Sequence, residues 1–389
     1  MKALSFLGIG PRDGYQPTTY IKHDDSESCE THLFPEAVAK LYTPDQVIVF
    51  VTPLVQRDEK GYLGYLREAL GSKFSTRDIP NGDSEAELWE IFQTCADAVE
   101  VNDEIILDIT HAFRSIPLLV FIVAAYLRQV KEVTLKHIIY GAFEARDADA
   151  NQTPIFDLTP FVDLLDWMNA FTIFQRAGDA REIAKLNVPN SVKHALTNVS
   201  AALLTNRTLE AQEAVSGFVH LDLKHPQSLL RQPLPFQILT EELKASYQDM
   251  GVQKPERNPN QSLKAQYQQI KWYIKNQHYL QAITLMREWL VSWECIQQDQ
   301  VDWLSRESRE DAEDALNERI KQSPSQIKTA LAPLASWATA TKLWRQCSDI
   351  RNDLAHCGMR KDPRRAQKAI KATLDLFSEF KTFVLHNLE

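Results

Sequence analysis

Two short runs in this sequence carry side chains that could do chemistry. The first, near the C-terminus, is Arg351-Asn352-Asp353-Leu354-Ala355-His356. An imidazole whose pKa lies near 6.5 can serve as general base or general acid at neutral pH. A nearby guanidinium can hold negative charge that develops in a transition state. The spacing sets a condition on both. On a regular helix, residues five apart are about 140° around the axis, so Arg351 and His356 do not share a face. Asn352 and His356, four apart, do. One copy is therefore an incomplete site, and two copies meeting across a twofold axis could present paired arginines, asparagines and histidines to one phosphodiester. Structural readings stand beside this one. Arg351 can pair with Asp349 or Asp353, and His356 can end a helix, because Cys357-Gly358 follows.

The second run is Asp108-Ile109-Thr110-His111-Ala112-Phe113-Arg114-Ser115-Ile116-Pro117. It places a hydroxyl, an imidazole, an aromatic ring and a guanidinium just before an expected helix. Such a set suits a phosphate and a purine, with backbone N–H groups and Arg114 for charge and Phe113 for stacking. Asp108 can equally cap backbone groups, and His111 can equally be a satisfied structural histidine.

The elements that must position these residues fall into two regimes. Lys2–Ile9, Val47–Val51, Glu104–Ile109 and Leu135–Tyr140 are short apolar runs of the kind buried in a parallel sheet. Between them lie helical patterns at His32–Leu41, Lys60–Leu70, Ser84–Val99 and Ile116–Val130, with Ser84 and Glu87 forming a capping-box signature. Alternation of this type predicts a doubly wound α/β domain over residues 1–160, with Thr18–Lys22 a candidate hairpin partner of the first strand. In such a sheet, ligands bind beyond the C-terminal strand ends. Gly8, Gly10, Thr52, Asn81, Gly82, Asp108, Thr110, His111, Phe113 and Arg114 all fall there. Gly8-Ile9-Gly10 lacks the third glycine of a dinucleotide fingerprint.

Beyond Pro160 the strand signal ends. Residues 161–259 read as a helical connector interrupted near Pro189, Pro226 and Pro233, and Gly251–Gln261 reads as the clearest linker. Residues 260–389 read as an all-helical domain with helices over Leu263–Lys275, Tyr279–Gln298, Ser305–Lys321, Ala335–Ala355 and Asp362–Asn387.

The net charge of −9 would argue against a nucleic-acid partner, but its distribution is uneven. Residues 1–170 hold 14 basic and 27 acidic side chains, whereas residues 260–389 hold 19 and 16. Arg360, Lys361, Arg364 and Arg365 cluster just after His356, where they could meet phosphates or simply form a solvated face. Five scattered cysteines without CxxC or zinc spacing predict reduced thiols, and no metal site is expected. No apolar run approaches the roughly 20 residues of a membrane span, and no signal pattern opens the chain, so a cytoplasmic location is expected.

Gly8–Gly10, Ile79–Asp83 with Glu87-Leu88-Trp89, and the D-x-T-H-x-F-R-x-x-P run from Asp108 resemble the CARF domain of type III CRISPR-associated ribonucleases. Ala112 stands where that family usually has glycine. The R-N-x-x-A-H run, with Tyr279-Leu280-Gln281-Ala282 and Arg287-Glu288 upstream, resembles the HEPN domain. The resemblance implies a Rossmann-like CARF domain followed by an all-α HEPN domain, paired as a homodimer or larger oligomer. It implies activation by a cyclic oligoadenylate, most often the tetra-adenylate, and cleavage of single-stranded RNA in antiviral defence. Arg351, Asn352 and His356 would then be catalytic, and the four basic residues after them would bind RNA. The chemistry would be metal-independent attack by the RNA 2′-OH, giving a 2′,3′-cyclic phosphate. Other readings are a ligand-binding regulator without catalysis, a toxin-type HEPN nuclease, and a front domain that degrades its own cyclic ligand through Thr110 and His111.

Overall fold

The computed structural model describes residues 1–112, 116–222, 233–321, 333–359 and 361–388. Phe113, Arg114 and Arg360, all expected at sites, lie outside the described residues, as does Pro226. The chain divides into two compact units, Met1–Asp166 and Trp167–Glu389.

The first unit is built on an eight-stranded sheet of strands β1 (Lys2–Leu7), β2 (Thr18–Ile21), β3 (Ser28–Thr31), β4 (Gln46–Val51), β5 (Phe74–Asp78), β6 (Glu104–Asp108), β7 (Thr134–Gly141) and β8 (Gln152–Asp157). Their order is β3-β2-β8-β7-β6-β1-β4-β5. The central pairings β7–β6, β6–β1, β1–β4 and β4–β5 are parallel, while β7–β8 and β2–β3 are antiparallel. The apolar runs follow from burial on both faces. Ala3 and Leu7 of β1 enter one core with Val47, Val49 and Val51, while Leu4 and Phe6 enter the other with Ile48 and Phe50. Successive residues thus feed opposite layers, so a central strand needs apolar residues throughout. Helices α1 (Phe34–Leu41), α2 (Pro53–Gln56) and α3 (Tyr62–Leu70) cover the first face; α4 (Glu85–Asp97) and α5 (Ile116–Val130) cover the second.

The expected pairing of Thr18–Lys22 with the first strand does not occur. β1 already has β4 and β6 on its two edges, so no ladder groups remain for a third partner. β2 instead pairs with β3 and, in parallel, with β8, where Thr18 Oγ1 meets Thr153 Oγ1 at 2.8 Å in the interior. Gly141, at the end of β7, has no room for a side chain. A Cβ there would lie 2.7 Å from the rings of Phe34 and Tyr20.

Among its described residues the second unit is built of helices joined by turns, with no strand. Pro233 begins a helix, Pro233–Tyr247, rather than breaking one, as suits proline in a first turn. The expected linker at Gly251–Gln261 is packed instead. Gly251 fits against the Ser216 backbone, where a Cβ would come within 3.1 Å, and Val252 N–H donates to Gln212 O at 3.1 Å. Pro255 is buried, Trp303 Nε1 donates to Glu256 O at 3.1 Å, and a helix already starts at Pro259. Composition alone missed this because proline and polar residues, with little apolar side chain to bury, are held by backbone hydrogen bonds.

The core of this unit is aromatic. Trp289 and Trp293 of the helix Tyr279–Gln297 meet Phe380 and Phe383 of the helix Ala366–Leu388 edge-on. Glu294, fully buried in the same layer, is held by two 2.6 Å hydrogen bonds from Arg319. Losing Arg319 would strand the buried Glu294 charge, costing about 3–5 kcal/mol. The four cysteines Cys29, Cys95, Cys295 and Cys347 are buried free thiols; Cys357 is exposed and also free.

Candidate functional site

The front cavity lies at the C-terminal edge of the parallel strands, where β1 sits between β6 and β4 and the strand order reverses. Its volume is about 450 Å³, and loops after β1, β4, β5 and β6 each contribute to it. Gly8, Gly10, Thr52, Asn81, Thr110 and His111, all expected at strand ends, line it. Asp83 of the Ile79–Asp83 loop lines it too, as do Tyr15 and Leu54, which were not foreseen.

Local structure explains why these loops hold their shape. Gly10 adopts a φ of 70°, and a Cβ on it would fall 2.9 Å from the Tyr15 ring. Tyr15 packs on the His111 ring at 4.0 Å, donates its hydroxyl to Gly8 O at 3.2 Å, and its N–H donates to the Tyr62 hydroxyl. The only sequence signal for Tyr15 was its position just past the two glycines. Ser84 caps α4 by accepting from Glu87 N–H, and the Glu87 carboxylate accepts from Gly82 and Asp83 N–H at 2.8 and 3.0 Å. That capping box fixes the third loop. Gly82 serves through its backbone and its φ of 76°, while Asn81 and Asp83 face the cavity.

Asp108 and His111 turn out to be framework groups. Asp108 is fully buried beneath the cavity and is not in its wall; one carboxylate oxygen accepts from Thr110 N–H at 2.8 Å. Burial pushes its pKa up to about 6. His111 touches the cavity, but its Nε2 accepts the Phe34 N–H at 3.1 Å. Burial, with His32 nearby, holds its pKa down at about 3, so the ring is neutral at pH 7. The Thr110 hydroxyl accepts from Gly141 N–H at 2.8 Å. Thr110 Oγ1 and His111 Nε2 thus each accept one backbone N–H, which fixes both side chains at the cavity.

These shifts act on stability in opposite directions. Neutral His111 contributes stability that is complete above its unfolded pKa near 6.5 and lost as pH falls toward 3. Protonated Asp108 contributes stability that is complete below about 3.8 and lost as pH rises through 6. In His111→Gln, whose amide oxygen can still accept the Phe34 N–H, the loss of β1 amide protection between about pH 7 and about pH 5 should be smaller than in the parent. Hydrogen exchange reads this directly, and an unchanged loss would contradict it.

In the rear unit, Arg351 and Asn352 lie in the last turns of the helix Pro333–Ala355, and His356 follows its end. Asn352 and His356 are exposed. Asn352 Oδ1 accepts from Arg351 Nη1 at 3.0 Å, so the amide faces the guanidinium within one chain. The helix closes with His356 N–H donating to Asn352 O and Gly358 N–H donating to Asp353 O, while Gly358 adopts a φ of 68°. Asp349 and Asp353 pair with Arg364, whose N–H also donates to Asp353 at 3.2 Å. Arg364 is thereby held by carboxylates and ties the turn after His356 to the start of the final helix. Lys361 and Arg365 are exposed beside it. Arg287 and Glu288 upstream also have structural partners. Arg287 bonds Glu313 at 2.8 Å and lies 4.2 Å over the Trp344 ring, and Glu288 holds Arg309 at 2.7 Å.

Residues 3–144 match the family model described as the CARF domain of the CRISPR system endoribonuclease Csx1. The chain is 32% identical over 142 residues to the CRISPR-associated protein MJ1674 of Methanocaldococcus jannaschii, an alignment covering 35% of this chain but only 22% of that protein. It is also similar to the solved structure of Enterococcus italicus Csm6 bound to cyclic hexa-2′-fluoro-hexa-dAMP. That likeness covers 99% of this chain and 94% of the other at 9% identity, with a TM-score of 0.43. The strand-edge cavity falls within the matched segment, and on these grounds the chain carries a CARF domain of the CRISPR-associated kind.

Proposed function

We propose that this chain is a cyclic-oligoadenylate-activated, metal-independent endoribonuclease that cuts single-stranded RNA in cytoplasmic type III CRISPR defence. The observation that carries the reading is the cavity of about 450 Å³ inside the CARF-matched segment. Its walls of backbone, hydroxyl and amide groups suit adenosine and phosphate, with Tyr15 offering an aromatic edge. A homodimer is supported by the solvent-facing side of α5, where Leu118, Ile122, Tyr126 and Val130 recur every four residues and are 39–67% exposed. An apolar stripe of this kind marks an interaction surface. Two such fronts would present two cavities to one ring-shaped ligand, most plainly the tetra-adenylate.

The rear unit would then act as the HEPN-type nuclease, residues 260–389 holding the catalytic set and 161–259 the connection to the sensor. In cleavage, one His356 takes the proton from the RNA 2′-OH as that oxygen attacks phosphorus. The P–O5′ bond breaks, and the departing oxygen takes a proton from the imidazolium of the second chain's His356. The products are a 2′,3′-cyclic phosphate and a 5′-OH. Arg351 stabilises the charged phosphorane, and Asn352, now paired with Arg351, orients that guanidinium. Lys361 and Arg365 supply phosphate contacts, along with Arg360. Arg364 acts as a positioning residue through Asp349 and Asp353.

The test is cleavage of labelled single-stranded RNA with cyclic tri-, tetra- or hexa-adenylate and with none. One ring size should raise the rate and leave 2′,3′-cyclic phosphate ends. Equal rates with and without every ring would remove the activation, and cleavage of DNA at the same rate would remove the 2′-OH mechanism.

A further inference from the structure

We infer that the front unit holds a binding site for one divalent transition-metal ion of the zinc type, formed by His23, His137 and Asp157, away from the cavity. This inference does not depend on the proposed nuclease activity. The three residues come from the segment after β2, from the middle of β7 and from the end of β8, so their sequence spacing gives no hint of a site. In the fold, one ligand atom from each lies within 4.8 Å of the other two. His137 Nδ1 is 3.0 Å and His23 Nε2 is 3.9 Å from Asp157 Oδ2. Ligand atoms around a tetrahedral zinc stand about 3.3 Å apart, so His137 and Asp157 already have that spacing and His23 would swing inward by about half an ångström or more to seat the ion.

The surroundings orient the three groups as ligands. His23 Nδ1 meets the Tyr42 hydroxyl at 3.1 Å, which turns Nε2 toward the cluster. The Asp157 carboxylate is anchored through its other oxygen, which accepts from Thr159 N–H at 3.0 Å and from the Thr159 hydroxyl at 2.5 Å. That hydroxyl in turn accepts Ile138 N–H at 2.8 Å, fixing Asp157 relative to β7. Side-chain exposures of 15%, 26% and 5% for His23, His137 and Asp157 leave a route for the ion and for a water as fourth ligand. Two imidazoles with one carboxylate select zinc, cobalt or nickel over calcium or magnesium, which prefer all-oxygen sets. The bound ion would pin the β2–β3 ribbon to the β7–β8 hairpin. Because β2 follows the loop that carries Tyr15, the clamp would steady the strand leading out of the cavity wall.

Tag-free full-length chain, stripped with a chelator, would be titrated with Zn²⁺ against a chromogenic competitor and with Co²⁺ read by visible absorption. One ion per chain with a tetrahedral-type cobalt spectrum is expected, together with a higher melting temperature. His23→Gln and His137→Gln should each weaken binding by about tenfold or more, with the circular dichroism of the metal-free proteins unchanged. Should His137→Gln fail to fold, His23→Gln, outside the regular strands, decides alone. Absence of stoichiometric binding to the folded parent chain overturns the site, and so does full affinity in a folded variant of either histidine.

Discussion

Replacing His356 with alanine is expected to lower activator-stimulated cleavage of single-stranded RNA by a factor of about 10²–10⁴, the usual worth of a positioned general acid–base group. Its exposed side chain makes the substitution informative. The hydrogen bond that ends the helix there runs from the His356 N–H to Asn352 O at 3.1 Å, and alanine keeps it. Asp353 and Arg364, which hold the following turn, are also untouched. Loss of rate would therefore report on proton transfer rather than on folding. Binding of the cyclic ligand should stay at the parent level, because the cavity belongs to the other unit. Single-turnover rates at saturating activator, beside a separate ligand titration, give both quantities. Parent-like cleavage by His356→Ala would remove the imidazole from the mechanism.

Gly10→Ala should produce the second large effect, this time at the sensor. Residue 10 has a φ of 70°, and its new methyl would sit 2.9 Å from Tyr15, which itself rests on His111. A left-handed backbone costs a non-glycine residue about 1–2 kcal/mol, so the free loop relaxes and must be returned to its strained form when ligand binds. Every 1.4 kcal/mol is tenfold, so activator affinity should drop by about tenfold or more, with a matching shift in the concentration that activates cleavage. Cleavage at saturating activator should recover toward the parent rate. Unchanged affinity would mean that the Gly8–Tyr15 loop does not shape the bound state.

The two substitutions also differ in how visible their targets were. His356 was proposed from residue type and spacing together with the family resemblance, and helical periodicity pointed to a site shared between two copies. Gly10 was found by its place after an apolar strand, but the reason for its glycine is Tyr15, five residues on, and nothing in the spacing singled out that ring. Asp108 shows the reverse failure. Its position at a strand end read as a ligand contact, yet the carboxylate is turned inward to organise the Thr110 backbone. Arg364 was read among phosphate-binding cations, and only the folded turn shows it facing Asp349 and Asp353.

What the sequence determined by itself was local or periodic. Continuous apolar runs marked β1, β4 and β6, because a strand covered on both faces needs no polar alternation. Ser84 and Glu87 marked the start of α4, because a capping box is completed within four residues. The tertiary structure decided whatever depends on contacts between distant segments. It gave β2 to β8 instead of β1, since β1 had no free edge, and it packed Gly251 against Ser216 where composition suggested a linker. It brought His23, His137 and Asp157 together across more than a hundred residues, through the pairing of β2 with β8 and β8 with β7. The Arg351–His356 motif stands between these cases. Its residues are legible from the sequence, but its turn is set by Asp353 and Arg364, whose bond closes only when the final two helices pack.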